Sequence, residues 1–269
     1  MEDAEKIDNL RLEADFEVAR ITNFLRTHLQ AAECKGFVVG ISGGIDSAVV
    51  ASLCQKSAGS DGVIGVLIFE DYQRDSKDFQ DATDLIKMLK IKLVDVQLTP
   101  IVKTIEQSMT EANIPTPRLI LANVKARVRM ALLYSIANNE SFLVAGTGDK
   151  SEDLIGYFTK YGDGGVDLLP IAHLYKTQVR LLGRSLGIPE SIVTKPSSPN
   201  LWKEHKAVDE LPADYEELDK ILSLLHDKGL GPLEVSKVTG APLSLINEVI
   251  RMNLKSRHKR KYPPMVENW

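Results

Sequence analysis

Val38-Val39-Gly40-Ile41-Ser42-Gly43-Gly44-Ile45-Asp46-Ser47-Ala48-Val49-Val50 is the stretch that decides the fold. An apolar run enters it, a turn of small residues follows, and Ala48 to Leu53 reads as the start of a helix. Strand, Gly-rich turn and helix N-terminus in that order make an anion site, because the first amides of a helix have no intrahelical acceptor and sit at the positive end of its dipole. Gly43 and Gly44 let phosphate oxygens approach the backbone, and Ser42 and Ser47 add hydroxyl donors. Asp46 is the odd member. An acid beside a phosphate repels it unless a divalent cation lies between, so Asp46 reads as a Mg²⁺ ligand. The plainer alternative is a Gly-Gly turn with Asp46 capping the helix.

The loop lacks the Gly-Lys-Ser/Thr ending of kinase-type phosphate loops, and the chain has no Gly-Lys pair. It also lacks the Gly-x-Gly-x-x-Gly of dinucleotide folds. Ser42-Gly43-Gly44-Ile45-Asp46-Ser47 instead resembles the pyrophosphate loop of the N-type ATP pyrophosphatases, which split ATP between its α and β phosphates and pass AMP to an acceptor.

Around the loop, elements alternate. A long amphipathic helix is expected over Ala4 to Ala32, with Ile7, Leu10, Phe16, Ile21, Leu25 and Leu29 in one stripe, packed on its own domain or on a partner. Gly62 to Phe69 is a near-continuous apolar run, as in a strand buried on both faces of a parallel sheet. Ser76 to Lys90 reads as a helix capped by Ser76 or Asp75, Leu93 to Val96 as a third strand, and Pro100 as the opening of the next helix. Arg118 to Asn138 is a strong helix with Leu121, Val124, Val128, Ala131, Leu132 and Ser135 on one side and Arg127 off it. Phe142 to Gly146 is the fourth strand, followed by a polar, glycine-rich stretch to Asp167 and a helix over Lys176 to Leu186. From Asp214 onward the pattern is helical only.

This alternation predicts a parallel α/β sheet with a helical C-terminal appendage: a Rossmann-like, three-layer fold. We expect one domain, with residues 1–35 an N-terminal helix, 36–190 the α/β core and 191–269 a loop and helical region. Ligands in such sheets lie at the carboxyl ends of the strands, where the Ser42 loop and the segment after Gly146 both emerge. There, Glu152 could give Mg²⁺ a second carboxylate, Lys160 and Lys176 could neutralise phosphates, and Arg127 could grip one bidentately. For any one of them a solvated surface charge is the commoner fate.

The 269 residues, 43% hydrophobic and 26% charged, have ordinary globular composition. A net charge of −4 gives no sign of a general nucleic-acid binder. The one basic cluster is Lys255, Arg257, Lys259, Arg260 and Lys261 near the end, in which His258 alone would read as a solvated residue. Cys34 and Cys54 make neither a metal set nor a disulfide framework and fit a reducing, cytoplasmic setting. No apolar run is long enough to span a bilayer, so no membrane partner is expected. His28, His173, His205 and His226 have no ligand spacing and read as structural.

Three further blocks sharpen the assignment: Asn123-Val124-Lys125-Ala126-Arg127-Val128-Arg129-Met130, then Gly146-Thr147 with Glu152, then Phe158-Thr159-Lys160-Tyr161-Gly162-Asp163-Gly164-Gly165-Val166-Asp167-Leu168-Leu169-Pro170. Together they resemble ammonia-dependent NAD synthetase, and Ser256 to Lys261 resembles the motif that closes such chains. The resemblance runs from about Phe37 to the last residues. The Phe158 block is much more specific than the phosphate loop, which other pyrophosphatases of the class share.

The resemblance implies the adenine-nucleotide α-hydrolase-like fold and a homodimer. It also implies a reaction in which the carboxylate of deamido-NAD attacks the α-phosphate of ATP and ammonia then displaces AMP. No nucleophilic Cys or Ser-His-Asp set is needed, since ATP activates the carboxylate and catalysis is mainly alignment and charge stabilisation. By motif position, ATP falls to Gly40 through Ser47, Thr147, Lys176 and Ser198; Mg²⁺ falls to Asp46 and Glu152. Deamido-NAD falls to Arg127, Lys160, Asp167, His258 and Lys259. Lys176 and Asp163 take the catalytic roles, Asp163 by holding or deprotonating ammonium; a turn residue before Gly164-Gly165 is its plain alternative.

Two departures stand out. Ile68-Phe69-Glu70-Asp71-Tyr72 replaces the proline-bearing small-residue turn expected after the second strand, and Pro196 to Trp202 matches its expected loop only loosely. The chain has no room for the amidase domain of glutamine-dependent relatives, which makes free ammonia the expected donor. An RNA-modifying pyrophosphatase would want a broad basic surface, and a non-catalytic nucleotide sensor would dispense with Asp46 or Glu152. Residues 148–163 and 195–210 are expected to order on substrate binding.

Overall fold

A computed structural model describes residues 10–198 and 210–266. Strands β1 (Phe37–Gly40), β2 (Val63–Phe69), β3 (Lys92–Gln97) and β4 (Leu143–Val144) form one sheet in the order β3-β2-β1-β4, and every neighbouring pair is parallel. Phe37 lies opposite Val63 on one side and Leu143 on the other. The continuous apolar runs of β1 and β2 follow from this central placement. Val39, Val63 and Leu67 face the main core, while Val38, Ile64, Val66 and Val144 face a second one on the opposite side. β3 is an edge strand and leaves Leu93 exposed.

Helices cover both faces. On one side lie α1 (Ala14–Ala31), α2 (Ile45–Ala58), α3 (Lys77–Leu89), α7 (Lys176–Ser185) and the short α8 (Glu190–Val193), whose apolar residues share the main core. Ser76 caps α3 through its hydroxyl, which accepts from the Phe79 amide at 3.2 Å. On the other side lie α4 (Thr99–Glu111) and α5 (Arg118–Glu140), with Leu133, Tyr134 and Ala137 on the second core. The result is the three-layer α/β arrangement. Because the order reverses between β1 and β4, their carboxyl ends diverge and open a crevice.

Four local readings change. Among the described residues α1 begins at Ala14, with Leu10 to Glu13 outside it, while Ala4 to Asn9 lie outside the described residues; Phe16 is 65% exposed, so the packed stripe is carried by Ile21 and Leu25. β4 is shorter than Phe142 to Gly146, because the chain leaves the ladder to meet a returning segment. Ala145 bridges Leu168, and the Val144 amide donates to Asp167 Oδ2 at 2.8 Å. A short helix, α6 (Lys150–Ile155), sits inside the glycine-rich stretch. Finally, α5 packs inward through Ala122, Lys125, Ala126 and Ala137; the stripe of Leu121, Val124, Val128 and Leu132 is left half-buried.

The last helices, α9 (Tyr215–His226), α10 (Pro232–Thr239) and α11 (Leu243–Lys255), enclose a core of Leu218, Ile221, Leu222, Val235, Ile246 and Val249. Ile155 and Tyr175 from the sheet region belong to the same cluster. Among the described residues no helix is long and apolar enough to cross a membrane.

Candidate active site

The phosphate loop is held open by its own hydroxyls. Ser47 Oγ donates to the Gly44 carbonyl at 3.0 Å and accepts from the Ser42 amide at 3.2 Å; the Gly44 amide donates to Ser42 Oγ at 3.2 Å. Gly43 has φ +80°, and a Cβ there would lie 2.3 Å from the Asp78 carbonyl oxygen, so glycine is required. The loop is stapled from outside by Lys195. Its Nζ donates to the Gly43 carbonyl at 2.9 Å, to Asp78 Oδ1 at 2.7 Å and to Asp81 Oδ2 at 2.6 Å. This anchor ties the loop to α3 and to the segment that carries Ser198.

Beneath the loop lies a charge cluster. Asp46 sits in the first turn of α2, and Asp149 and Glu152 form a reciprocal capping box at the start of α6. Lys176 opens α7 and is completely buried. Its Nζ lies 2.7 Å from Asp46 Oδ2, 2.8 Å from Asp149 Oδ2 and 2.9 Å from Glu152 Oε1. Burial works against the Lys176 ammonium, but Asp149, Asp46 and Glu152 outweigh it and hold its pKa well above the usual lysine value. Burial pushes Asp149 up to about 6 and Glu152 well above the carboxylate range, with Lys176 pulling both back. One ammonium faces three carboxyl groups, an excess of acid over base.

That excess has a chemical meaning. One oxygen each from Asp46, Asp149 and Glu152 lie within 4.8 Å of one another, and Asp46 Oδ1 is buried with no hydrogen-bond partner among the described residues. An oxygen-only donor set with an orphaned carboxylate oxygen and surplus negative charge suits a hard dication such as Mg²⁺.

The cleft above is about 930 Å³. Of the residues singled out from sequence, Gly40, Ile41, Ser42, Gly44, Ile45, Asp46, Ser47, Thr147, Glu152, Asp163, Ser198 and Lys259 line it. Gly43 lies behind the loop on α3, and Lys176 lies beneath the carboxylates. Arg127, Lys160, Asp167 and His258 are not on its wall. Arg127 is exposed on α5 and its Nε donates to the Lys160 carbonyl at 3.3 Å. Asp167 accepts from the Val144 amide and from the Tyr134 hydroxyl, the latter at 3.0 Å. His258 lies exposed in a 3₁₀ turn.

The Phe158 block is a compact turn. Asp163 Oδ1 accepts from the Thr159 amide at 2.9 Å, and Thr159 Oγ1 donates to Asn123 Oδ1 at 2.9 Å. Asp163 is exposed by surface area yet hemmed in by the loop. That crowding raises its carboxyl pKa against the pull of the Thr159 amide, its own amide, Lys259 and Arg129. Two residues of the basic tail, Lys259 and Arg260, dock here. Lys259 Nζ donates to the Gly156 and Phe158 carbonyls at 2.8 and 2.6 Å, and Arg260 donates to the Asp153 and Asn253 carbonyls at 2.6 Å each.

Several site residues escaped the sequence reading. Asp149 had a local signal, the Asp-x-x-Glu capping box of Asp149 and Glu152. Arg129, Lys195 and Tyr215 line the cleft without one. At the departure after β2, Glu70 pairs with the buried Lys125 at 2.8 Å, and Phe69 meets Phe79 edge to face with centroids 5.0 Å apart. With Leu67 and Ala82 these rings make an apolar bay beside the loop.

A parallel sheet with a switch-point cleft, a glycine loop at a helix N-terminus and a cluster of carboxylates beside it define a nucleotide-using enzyme of the adenine-nucleotide α-hydrolase-like fold. The NAD synthase family model matches residues 17–263. The chain belongs to the NAD synthase family. It is 45% identical to the NH(3)-dependent NAD(+) synthetase of Hyperthermus butylicus, over 95% of this chain and 92% of that one. It is 41% identical to the enzyme of the same name from Methanocaldococcus jannaschii, over 93% and 96%. Its structure resembles an NMN synthetase from Francisella tularensis, at 32% identity and TM-score 0.84 over 96% of this chain and all of that one. It also resembles an NH3-dependent NAD synthetase from Campylobacter jejuni in complex with nitrate, at 26% identity and TM-score 0.81 with the same coverage.

Proposed function

We propose that this protein amidates deamido-NAD to NAD with ammonia at the expense of ATP, releasing AMP and pyrophosphate, in the last step of NAD formation. The observation that carries the reading is the phosphate loop set over the Asp46–Asp149–Glu152 cluster in a single cleft that also holds Asp163. ATP lies with its phosphates on the loop amides and its adenine toward Leu67, Phe69 and Phe79. A carboxylate oxygen of the acceptor attacks the α-phosphorus, the bond to the β-phosphate oxygen breaks, and pyrophosphate leaves. Ammonia nitrogen then attacks the acyl carbon, the C–O bond to AMP breaks, and a proton departs. Mg²⁺ held by Asp46 and Glu152, with Asp149 beside them, would supply the charge that makes pyrophosphate a good leaving group.

Asp163 works on the nitrogen donor. A carboxyl with a raised pKa at the cleft wall attracts ammonium and accepts its proton, leaving neutral ammonia. Asp163→Asn should therefore raise KM for total ammonium by about 10²-fold at neutral pH. The deficit should shrink as pH rises and free ammonia becomes abundant. Initial rates across pH at fixed total ammonium check this; a deficit constant with pH would assign Asp163 to the turn alone.

The protein works as a homodimer paired through α5. Its outer stripe of Leu121, Val124, Val128 and Leu132 is only half-covered, and Leu119 and Ile120 are exposed at 62% and 46%. Arg127, Lys160 and Asp167 lie on or beside this helix, so a dinucleotide extending past the cleft would meet them there. Val128→Asp should halve the mass seen by light scattering, with the fold retained in circular dichroism.

A second acceptor is favoured by the likeness to an NMN synthetase, since nicotinate mononucleotide carries the same carboxylate. The deciding experiment incubates MgATP with deamido-NAD or nicotinate mononucleotide, and with ammonium or glutamine. We expect NAD and AMP in equal amounts from deamido-NAD and ammonium. Faster amidation of the mononucleotide would replace the acceptor, and turnover with glutamine alone would replace the donor. Residues 199–209 lie outside the described chain, so the expectation of ordering there belongs to limited proteolysis with and without substrates.

A further inference from the structure

Buried polar atoms without a partner are rare in native proteins and ask for an explanation. Two of those found among the described residues belong to side chains that line the cleft: Asp46 Oδ1 and the Tyr215 hydroxyl. The first is a carboxylate oxygen of the acidic cluster discussed above. Tyr215 is the first residue of α9, comes from the C-terminal helices, and is 5% exposed. Its ring lies 5.1 Å from Lys176 Nζ, and its electrostatic surroundings are Glu152, Lys176, Asp149 and Asp46.

The placement is firmly built. Asp214 caps α9 by accepting from the Glu217 amide at 2.9 Å. One turn on, Asp219 accepts from Ser151 Oγ of α6 at 2.5 Å and from the Thr177 amide of α7 at 2.8 Å. The helix is thus pinned to α6 and α7, two of the three elements that carry the charge cluster. A phenol held there gains from burial of its ring and from Lys176 over its face, but its hydroxyl has no hydrogen-bond partner among the described residues. Phenylalanine would satisfy the packing alone.

Resting on the ATP reading above, we propose that Tyr215 is a binding residue for the pyrophosphate end of ATP, its hydroxyl donating a hydrogen bond to a non-bridging phosphate oxygen. The Tyr215 ring lies against Lys176, the charges of Asp46, Asp149 and Glu152 act on its hydroxyl, and Tyr215 lines the same cleft as the phosphate loop.

The test compares wild type with Tyr215→Phe, which keeps the ring. Calorimetric titration uses two probes with Mg²⁺ present: α,β-methylene-ATP, whose α–β bridge cannot be cleaved, and AMP, which lacks the pyrophosphate end. The expected result is an affinity for the analogue about 10-fold weaker in the variant. AMP affinity and the apo melting temperature should be equal or higher, because the change removes an unpaired buried hydroxyl. Equal analogue affinity in both proteins, or matching losses for the analogue and AMP, would overturn the assignment to Tyr215. Failure of wild type itself to bind the analogue would instead overturn the ATP reading, and the assignment with it.

Discussion

Lys176→Met should destabilise the protein by about 3–5 kcal/mol and abolish ATP cleavage in the same step. Methionine matches the length of the lysine stem, so the loss comes from charge and not from a cavity. In the native protein one fully buried ammonium lies within 2.9 Å of Asp46, Asp149 and Glu152. Removing it leaves buried carboxylates facing one another with nothing positive between them. They answer by taking up protons, which costs free energy at neutral pH for the groups that titrate below it, Asp149 at about 6 among them. The melting temperature should fall by on the order of 10 °C. Mg²⁺ should restore part of that loss and raise the variant's melting temperature more than it raises the wild type's. Thermal melts with Mg²⁺ and with chelator check both statements. A variant that melts like wild type would show that the cluster carries little net charge.

Asp46→Asn should separate chemistry from stability. The substitution keeps the shape of the side chain but removes one negative charge from a cluster that has a surplus, so the apo protein should melt no lower than wild type. Activity should fall by about 10²–10³-fold, because Asp46 supplies the orphaned oxygen in the first turn of α2, directly after the phosphate loop. Adenine-nucleotide binding should persist through the loop amides while its dependence on Mg²⁺ weakens. Equilibrium binding of ATP at graded Mg²⁺, beside the melt and the rate, makes the measurement. Unchanged Mg²⁺ dependence would return Asp46 to the role of a helix cap.

These two variants probe a site that was only half legible in the sequence. The phosphate loop could be read because its physics is local: Val38 to Val50 encodes strand, turn and helix within a few residues, and Gly43 is needed by the loop's own φ. The parallel sheet was legible from the apolar runs of β1 and β2. The role of Lys176 was not, because its partner Asp46 is 130 residues away in the chain and the pairing exists only after α2, α6 and α7 pack. Sequence places Lys176 against phosphate; the fold places it against the acids beneath the loop.

Helix α5 shows the other limit. Its hydropathy points to the Leu121–Val128–Leu132 stripe, yet the helix buries Ala122, Ala126 and Ala137 together with Lys125. Close approach to the sheet favours small side chains, and Lys125 is admitted because Glu70 meets it. The same rotation puts Arg129 on the cleft and leaves Arg127 outside it. A single-helix periodicity cannot resolve two apolar faces. The docking of Lys259 and Arg260 is illegible for a related reason: they spend their donors on backbone carbonyls that no sequence pattern announces.

The most direct measurement follows one atom. Deamido-NAD labelled with ¹⁸O in its nicotinate carboxylate is incubated with MgATP, ammonium and the enzyme, and the products are weighed by mass spectrometry. Attack of the carboxylate on the α-phosphorus followed by displacement of AMP requires one ¹⁸O to appear in the phosphate of AMP, with none in pyrophosphate. Unlabelled AMP, or label in a phosphate released from the other end of ATP, would contradict the adenylation on which the whole reading of the cleft rests.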